Sequence, residues 1–132
     1  MHPICHGLDD NVSNDGMNAT IFPIVSVIIA TKDEEANIER CLRSIASLRY
    51  PKDSLEIVVV DNGSVDHTRE ISRQFTNKVY RIEAELASAC VRNARGYQLN
   101  HGVRESSGEI VFFPDADMTF DQCLLNEAVA RI

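Results

Sequence analysis

Two carboxylates one residue apart, Asp115 and Asp117, stand just past the apolar run Ile110-Val-Phe-Phe113 and its closing Pro114. Oxygen ligands at that spacing suit a hard divalent ion. Mg2+ and Mn2+ take carboxylate oxygens and keep several waters, so one or two protein acids can suffice when a substrate phosphate joins them. The competing reading is a turn carrying two solvated acids, but a buried strand ahead of the pair would fix both at one place. Asp61 ends a second apolar run, Leu55-Glu-Ile-Val-Val-Val60. A carboxylate there could accept a hydrogen bond from a base N–H or a ribose hydroxyl, or it could brace the Asn62-Gly63 turn. Arg92, Arg95, Gln98 and Asn100 cluster before Gly102. Guanidinium and amide groups suit phosphates and sugar hydroxyls, although a solvated helix face explains the same residues. His67 and His101 are isolated and fit ordinary surface or packing roles.

These residues need elements to position them. Val25-Ser-Val-Ile-Ile-Ala30 is β-branched and apolar, as expected of a buried strand. From Ala36 to Leu48 the apolar positions Ile38, Cys41, Leu42 and Ile45 fall on one helical face. Leu55–Val60 is a second strand. A helix over 69–75 follows, with Asp66 as its N-cap and Ile71 and Phe75 on one face. Lys78-Val-Tyr-Arg-Ile82 is a third, shorter strand. Residues 85–105 are helical in composition, interrupted by Gly96 and Gly102. Residues 109–113 form a fourth strand, and a helix capped by Asp121 runs through Leu124, Leu125 and Val129. The alternation predicts an α/β fold, a mostly parallel sheet with helices on both faces. Ligands of such sheets bind beyond the carboxyl ends of the strands. Ala30-Thr31-Lys32, Asp61-Asn62 and Asp115-Ala116-Asp117 are therefore expected to share one edge.

Composition narrows the function further. The 132 residues carry a formal charge of -7, which disfavours general binding to nucleic-acid backbones. A single bound nucleotide is compatible with that charge if a cation accompanies it. The four cysteines, Cys5, Cys41, Cys90 and Cys123, are widely spaced. That argues against a zinc site or a disulfide framework. Cys41 and Cys90 fall in helical patterns and are expected as buried reduced thiols, which points to a cytoplasmic setting. No signal peptide is visible, and the longest apolar run is far short of the ~20 residues that span a bilayer. Membrane association would have to come through sequence outside these residues. Residues 1–20 are polar and aperiodic, an expected N-terminal arm ahead of a domain over 21–132.

Several motifs in order resemble a known family. Val25-Ser-Val-Ile-Ile-Ala-Thr-Lys-Asp-Glu-Glu-Ala-Asn-Ile38 resembles the opening of family-2-type glycosyltransferases, and Val58-Val-Val-Asp-Asn-Gly-Ser-Val-Asp-His-Thr68 their second motif. Gly108-Glu-Ile-Val-Phe-Phe-Pro-Asp-Ala-Asp117 is similar to the strand leading into their Asp-x-Asp metal motif, and Arg95-Gly-Tyr-Gln-Leu-Asn-His-Gly102 to a run found in a subset. The resemblance implies a Rossmann-like GT-A sandwich, a nucleotide-diphosphate sugar donor, Mg2+ or Mn2+, and inverting transfer to an acceptor hydroxyl on a glycan, lipid or small molecule. It places Thr31 with Glu34 or Glu35 beside the nucleoside, and Asp61 and Asn62 at the base or ribose. Arg95 and Asn100 fall in the donor site. Asp115 would meet the ribose or the metal, and Asp117 the metal. Asp33 stands where the family commonly has Asn, and Asn62 where it commonly has Asp.

Only fifteen residues follow Asp117. The resemblance therefore places the general base beyond Ile132, and neither Asp121 nor Glu127 is assigned as catalytic. On this reading the chain holds the donor-binding part of a truncated domain. An alternative is a non-catalytic nucleotide-binding or interaction remnant, whose open sheet edge a homo-oligomer could cover. A third reading takes Phe112-Phe-Pro-Asp-Ala-Asp-Met-Thr119 as the nucleophile motif of a haloacid-dehalogenase-like phosphatase. That motif would normally follow a first strand, and it leaves the upstream motifs unexplained. No GxGxxG follows either of the first two strands, which disfavours a dinucleotide-binding domain.

Overall fold

The computed structural model describes residues 22–82 and 94–132. The expected arm over 1–20, Arg92, Cys90 and the first part of the helix expected over 85–105 lie outside the described residues. Four strands form one parallel sheet: β1 (Val25–Thr31), β2 (Leu55–Asn62), β3 (Val79–Ile82) and β4 (Ile110–Phe112), in the order β3-β2-β1-β4. Four helices accompany them: α1 (Ile38–Ala46), α2 (Thr68–Ser72), α3 (Ala94–Glu105) and α4 (Leu124–Ala130).

β1 is the centre of the sheet, and all seven of its residues are buried. Its unbroken apolar pattern follows from cover on both faces. Val25, Val27 and Ile29 pack with Val59 beneath Ile38, Cys41, Leu42 and Ile45 of α1 and Leu125 of α4, and Ile71 of α2 lies against the same cluster. Ile28, Val58 and Val60 meet Leu99 of α3 on the other face. Helices thus cover both faces, as the alternation predicts.

α3 runs through Gly96 and Gly102 without a break. The reason is a close approach. A Cβ on Gly102 would lie 2.3 Å from Ile28 Cγ2 and 3.2 Å from Val60 Cγ2. Glycine lets the helix backbone rest directly on the sheet, and that contact outweighs its low helix propensity. α2 is shorter than the expected 69–75. It ends at Ser72, and turn bonds from Phe75 and Thr76 back to Ser72 replace further helix. Phe75 still reaches the core.

At the amino end of the sheet, Glu56 ties four segments together. Its carboxylate accepts bonds from Ser26 Oγ on β1 (2.5 Å), from the Ser107 N–H (2.9 Å) and from Lys78 Nζ. Burial pushes its pKa up, but the hydrogen bonds from Lys78, Ser26 and Ser107 outweigh burial and bring it from 4.5 to about 2. Among the cysteines, Cys41 is free and buried. Cys123 is disulfide-bonded. A single such bond is not the framework that the wide spacing argues against.

Candidate functional site

The strand order places β2 and β3 on one side of β1 and β4 on the other. A topological switch point therefore lies between β1 and β4, and parallel α/β sheets open a crevice at such a point, beyond the carboxyl ends of the strands. Thr31 and Asp61 are paired in register at the ends of β1 and β2. Asp115, Ala116 and Asp117 follow β4 at the same edge. The three expected clusters do share one edge.

The β1–β2 side is closed. Asp61 is fully buried. Its Oδ1 accepts the Thr31 hydroxyl (2.7 Å) and the Ser64 hydroxyl (2.5 Å), while its Oδ2 accepts the Ser64 N–H (2.8 Å) and Arg69 (3.1 Å). A carboxylate has about four lone-pair sites, and all four are taken. A base or ribose would have to displace Ser64 or Arg69 to reach Asp61, so in this arrangement Asp61 works as a structural hub. Thr31 is equally buried and serves that hub. Asn62 is half-buried at the end of β2.

The loops after β1 and β2 are stitched to each other. The N–H groups of Asp33, Glu34 and Glu35 donate to Ser64 Oγ, Thr68 Oγ1 and Asp66 Oδ2. In return, Val65 N donates to Asp33 Oδ1 and His67 N to Glu35 Oε2. Asp33 adopts φ 51°, a left-handed conformation that Asp and Asn tolerate better than other non-glycine residues. Asp66 takes the N–H and hydroxyl of Thr68, the first residue of α2, while the N-cap position itself falls to His67 rather than to Asp66 as expected. The second motif thus acts on the first through side chain to backbone bonds. Glu34 also receives Asn37 Nδ2 at 3.3 Å, and Glu35 faces the His67 ring at 3.4 Å. Both expected nucleoside acids are thereby tied into the loop framework.

Gln98 has a role that its amide chemistry alone did not reveal. It is buried, and its Nε2 donates both to Thr31 O (2.9 Å) and to Val60 O (2.8 Å). It clamps α3 onto the ends of β1 and β2 and leaves no donor for a sugar. A partly polar helix face with one amide at the sheet-facing position is the signal that could have found it. Asn100, two residues on, is exposed and points away from that contact, since i and i+2 do not share a helix face.

The β4 side is open. Asp115 and Asp117 are exposed on either side of the buried Ala116. Arg95 NH2 meets Asp115 Oδ1 at 2.7 Å, with both side chains about half exposed. Beneath the loop, the Cys41 thiol donates to the Asp115 carbonyl at 3.6 Å. Burial first, then the charges of Asp117, Glu34 and Asp115, push the Cys41 pKa up to about 11. The thiol stays neutral. Among the described residues no group of three or more His, Cys, Asp or Glu side chains is placed to hold a metal. Asp115 and Asp117 nonetheless fit Mg2+ or Mn2+: they offer only oxygen, both are accessible, and such ions take their remaining ligands from water and phosphate.

A parallel α/β sheet with helices on both faces and an open acidic cluster beside its switch point defines a doubly wound class of fold. Comparison with known proteins narrows the class. Residues 26–132 match the family described as Glycosyl transferase family 2, and the chain belongs to that family. It is similar to Glycosyltransferase AglE of Haloferax volcanii, 39% identical over 116 residues that cover 88% of this chain and 37% of AglE. Its structure is similar to that of S. aureus TarS 1-349, with a TM-score of 0.70, 31% identity and cover of 81% of this chain and 31% of TarS 1-349. The same TarS fragment has been crystallised with UDP-GlcNAc. The mannosyltransferase PcManGT of Pyrobaculum calidifontis, in complex with GDP-Man and Mn2+, matches with a TM-score of 0.69, 33% identity and cover of 83% and 32%. The fold is that of the donor-binding part of GT-A enzymes, and the chain spans about a third of the length of these relatives.

Proposed function

We propose that this chain binds a nucleotide-diphosphate sugar together with Mg2+ or Mn2+ at the carboxyl edge of its sheet, for inverting transfer of the sugar to an acceptor hydroxyl. The observation that carries the reading is the exposed pair Asp115 and Asp117 at the end of β4, beside the β1–β4 switch point. The complexes of PcManGT with GDP-Man and Mn2+ and of TarS with UDP-GlcNAc support it by family membership.

Asp115 and Asp117 would hold the cation. When bound, the ion supplies neutralising charge to the diphosphate leaving group. The rest is done by the chain itself. Asp61, Gln98 and the cross-loop bonds fix the ends of β1 and β2, so one wall of the crevice is set before the donor arrives, which lowers the ordering cost of binding. Arg95 brings a guanidinium to the same point, suited to phosphate oxygens.

Neither nearby acid serves as general base on this account. Asp121 Oδ1 accepts the Cys123 N–H at the entry to α4 (2.9 Å), and Glu127 is exposed on that helix. A second reading, donor binding without turnover, is favoured by Val111 and Phe113, which stay exposed on and beside the edge strand β4 and suit cover by another chain or a second copy. An assay of hydrolysis and transfer from a panel of UDP- and GDP-sugars with Mn2+ separates the two. Turnover that disappears in Asp117→Asn supports the enzyme. Retained nucleotide binding without turnover supports the binding module.

A further inference from the structure

Arg95 and Asp115 form an ion pair at the one point where the proposed cation would need the carboxylate. The pair is placed by the fold. α3 is nailed to the sheet by the two bonds of Gln98 and by the close contact of Gly102 with Ile28 and Val60. Arg95 lies three residues before Gln98, its neighbour on the same side of the helix, and meets Asp115 Oδ1 at 2.7 Å. The Asp115 backbone is held as well, by the Cys41 thiol donating to its main-chain carbonyl. Two positive charges cannot share one carboxylate without repulsion.

We propose that Arg95 is a coupling residue. It occupies Asp115 while the site is empty, weakens binding of the cation alone, and is released toward the donor's diphosphate when cation and nucleotide bind together. This inference rests on the donor-site reading above. By linkage, the cation then favours the nucleotide and the nucleotide favours the cation by the same factor. The device would keep the site from filling with free metal ions while leaving it ready for the cation–diphosphate complex.

Mn2+ uptake followed by electron paramagnetic resonance on the 132-residue chain, first alone and then with UDP or GDP, provides the test. In Arg95→Gln, Mn2+ alone should bind about two- to fivefold more tightly, the scale set by one half-exposed ion pair. The same variant should bind the nucleoside diphosphate less tightly at saturating Mn2+, so the coupling factor shrinks. Arg95→Lys keeps the charge and should keep the wild-type metal affinity. Arg95 is half exposed, and an unchanged circular dichroism spectrum should accompany these shifts. Unchanged or weaker binding of Mn2+ alone in Arg95→Gln, with uptake still lost in Asp117→Asn, overturns the coupling role and leaves the donor-site reading standing. No uptake dependent on Asp117 in the wild-type chain overturns both.

Discussion

Four acids lie at or near strand ends of this sheet, and they differ in how they are finished. Asp61, at the carboxyl end of β2, is buried with four bonds to its oxygens. Glu56, near the amino end of the same strand, is similarly enclosed by Ser26, Lys78 and Ser107. Asp115 and Asp117, past β4, are exposed, and a single guanidinium reaches the pair's first member. A carboxylate whose lone pairs are all used inside the protein contributes to the scaffold. One left open can take a ligand. Residue type alone does not separate the two cases, but the hydrogen-bond inventory does.

The largest expected effect is on the closed side. Asp61→Ala leaves Arg69 without its buried partner and frees Thr31 and Ser64, and should cost about 3–5 kcal/mol of stability in urea unfolding. A loss under ~0.5 kcal/mol would show that Asp61 is no hub. Glu56→Gln comes next, at about 1.5–3 kcal/mol near neutral pH, the range for hydrogen bonds to a charged group. Its pH dependence has a definite sign. The folded-state pKa of Glu56 is lowered from 4.5 to about 2, so its stabilisation is full above pH 4.5 and is lost as pH falls toward 2. The gap between wild type and Glu56→Gln should therefore narrow across that window. Gln98→Leu removes the donor shared by two strand-end carbonyls and should cost about 1–3 kcal/mol. Asp117→Asn, on the open side, should change stability by less than ~0.5 kcal/mol, as surface substitutions do.

Much of the fold is legible in the sequence because burial is two-sided where the strands are central. Val25-Ser-Val-Ile-Ile-Ala30 and Leu55–Val60 stand out for that reason, and Ile38, Cys41, Leu42 and Ile45 mark α1 by spacing. The sharing of one sheet edge by Thr31, Asp61 and Asp115 follows from alternation alone. What could not be read is set by tertiary partners. Asp61 is saturated through Thr31, thirty residues earlier, and through Ser64 and Arg69 across a turn. Gln98 clamps strands that lie 67 and 38 residues away. The closeness of Arg95 to Asp115 depends on where α3 rests, which Gly102 decides by what it lacks. Gly102 resembled a helix breaker in the sequence and is a packing contact in the fold.

The central claim is that the open carboxylates hold a cation and, through it, a nucleotide sugar. Calorimetric titration of the chain with UDP-GlcNAc and GDP-mannose, with and without Mn2+, tests it most directly when Asp117→Asn is run beside the wild type. The account predicts binding of at least one donor that requires Mn2+ and disappears in the folded variant. Equal binding by wild type and Asp117→Asn, or binding indifferent to Mn2+, would contradict it.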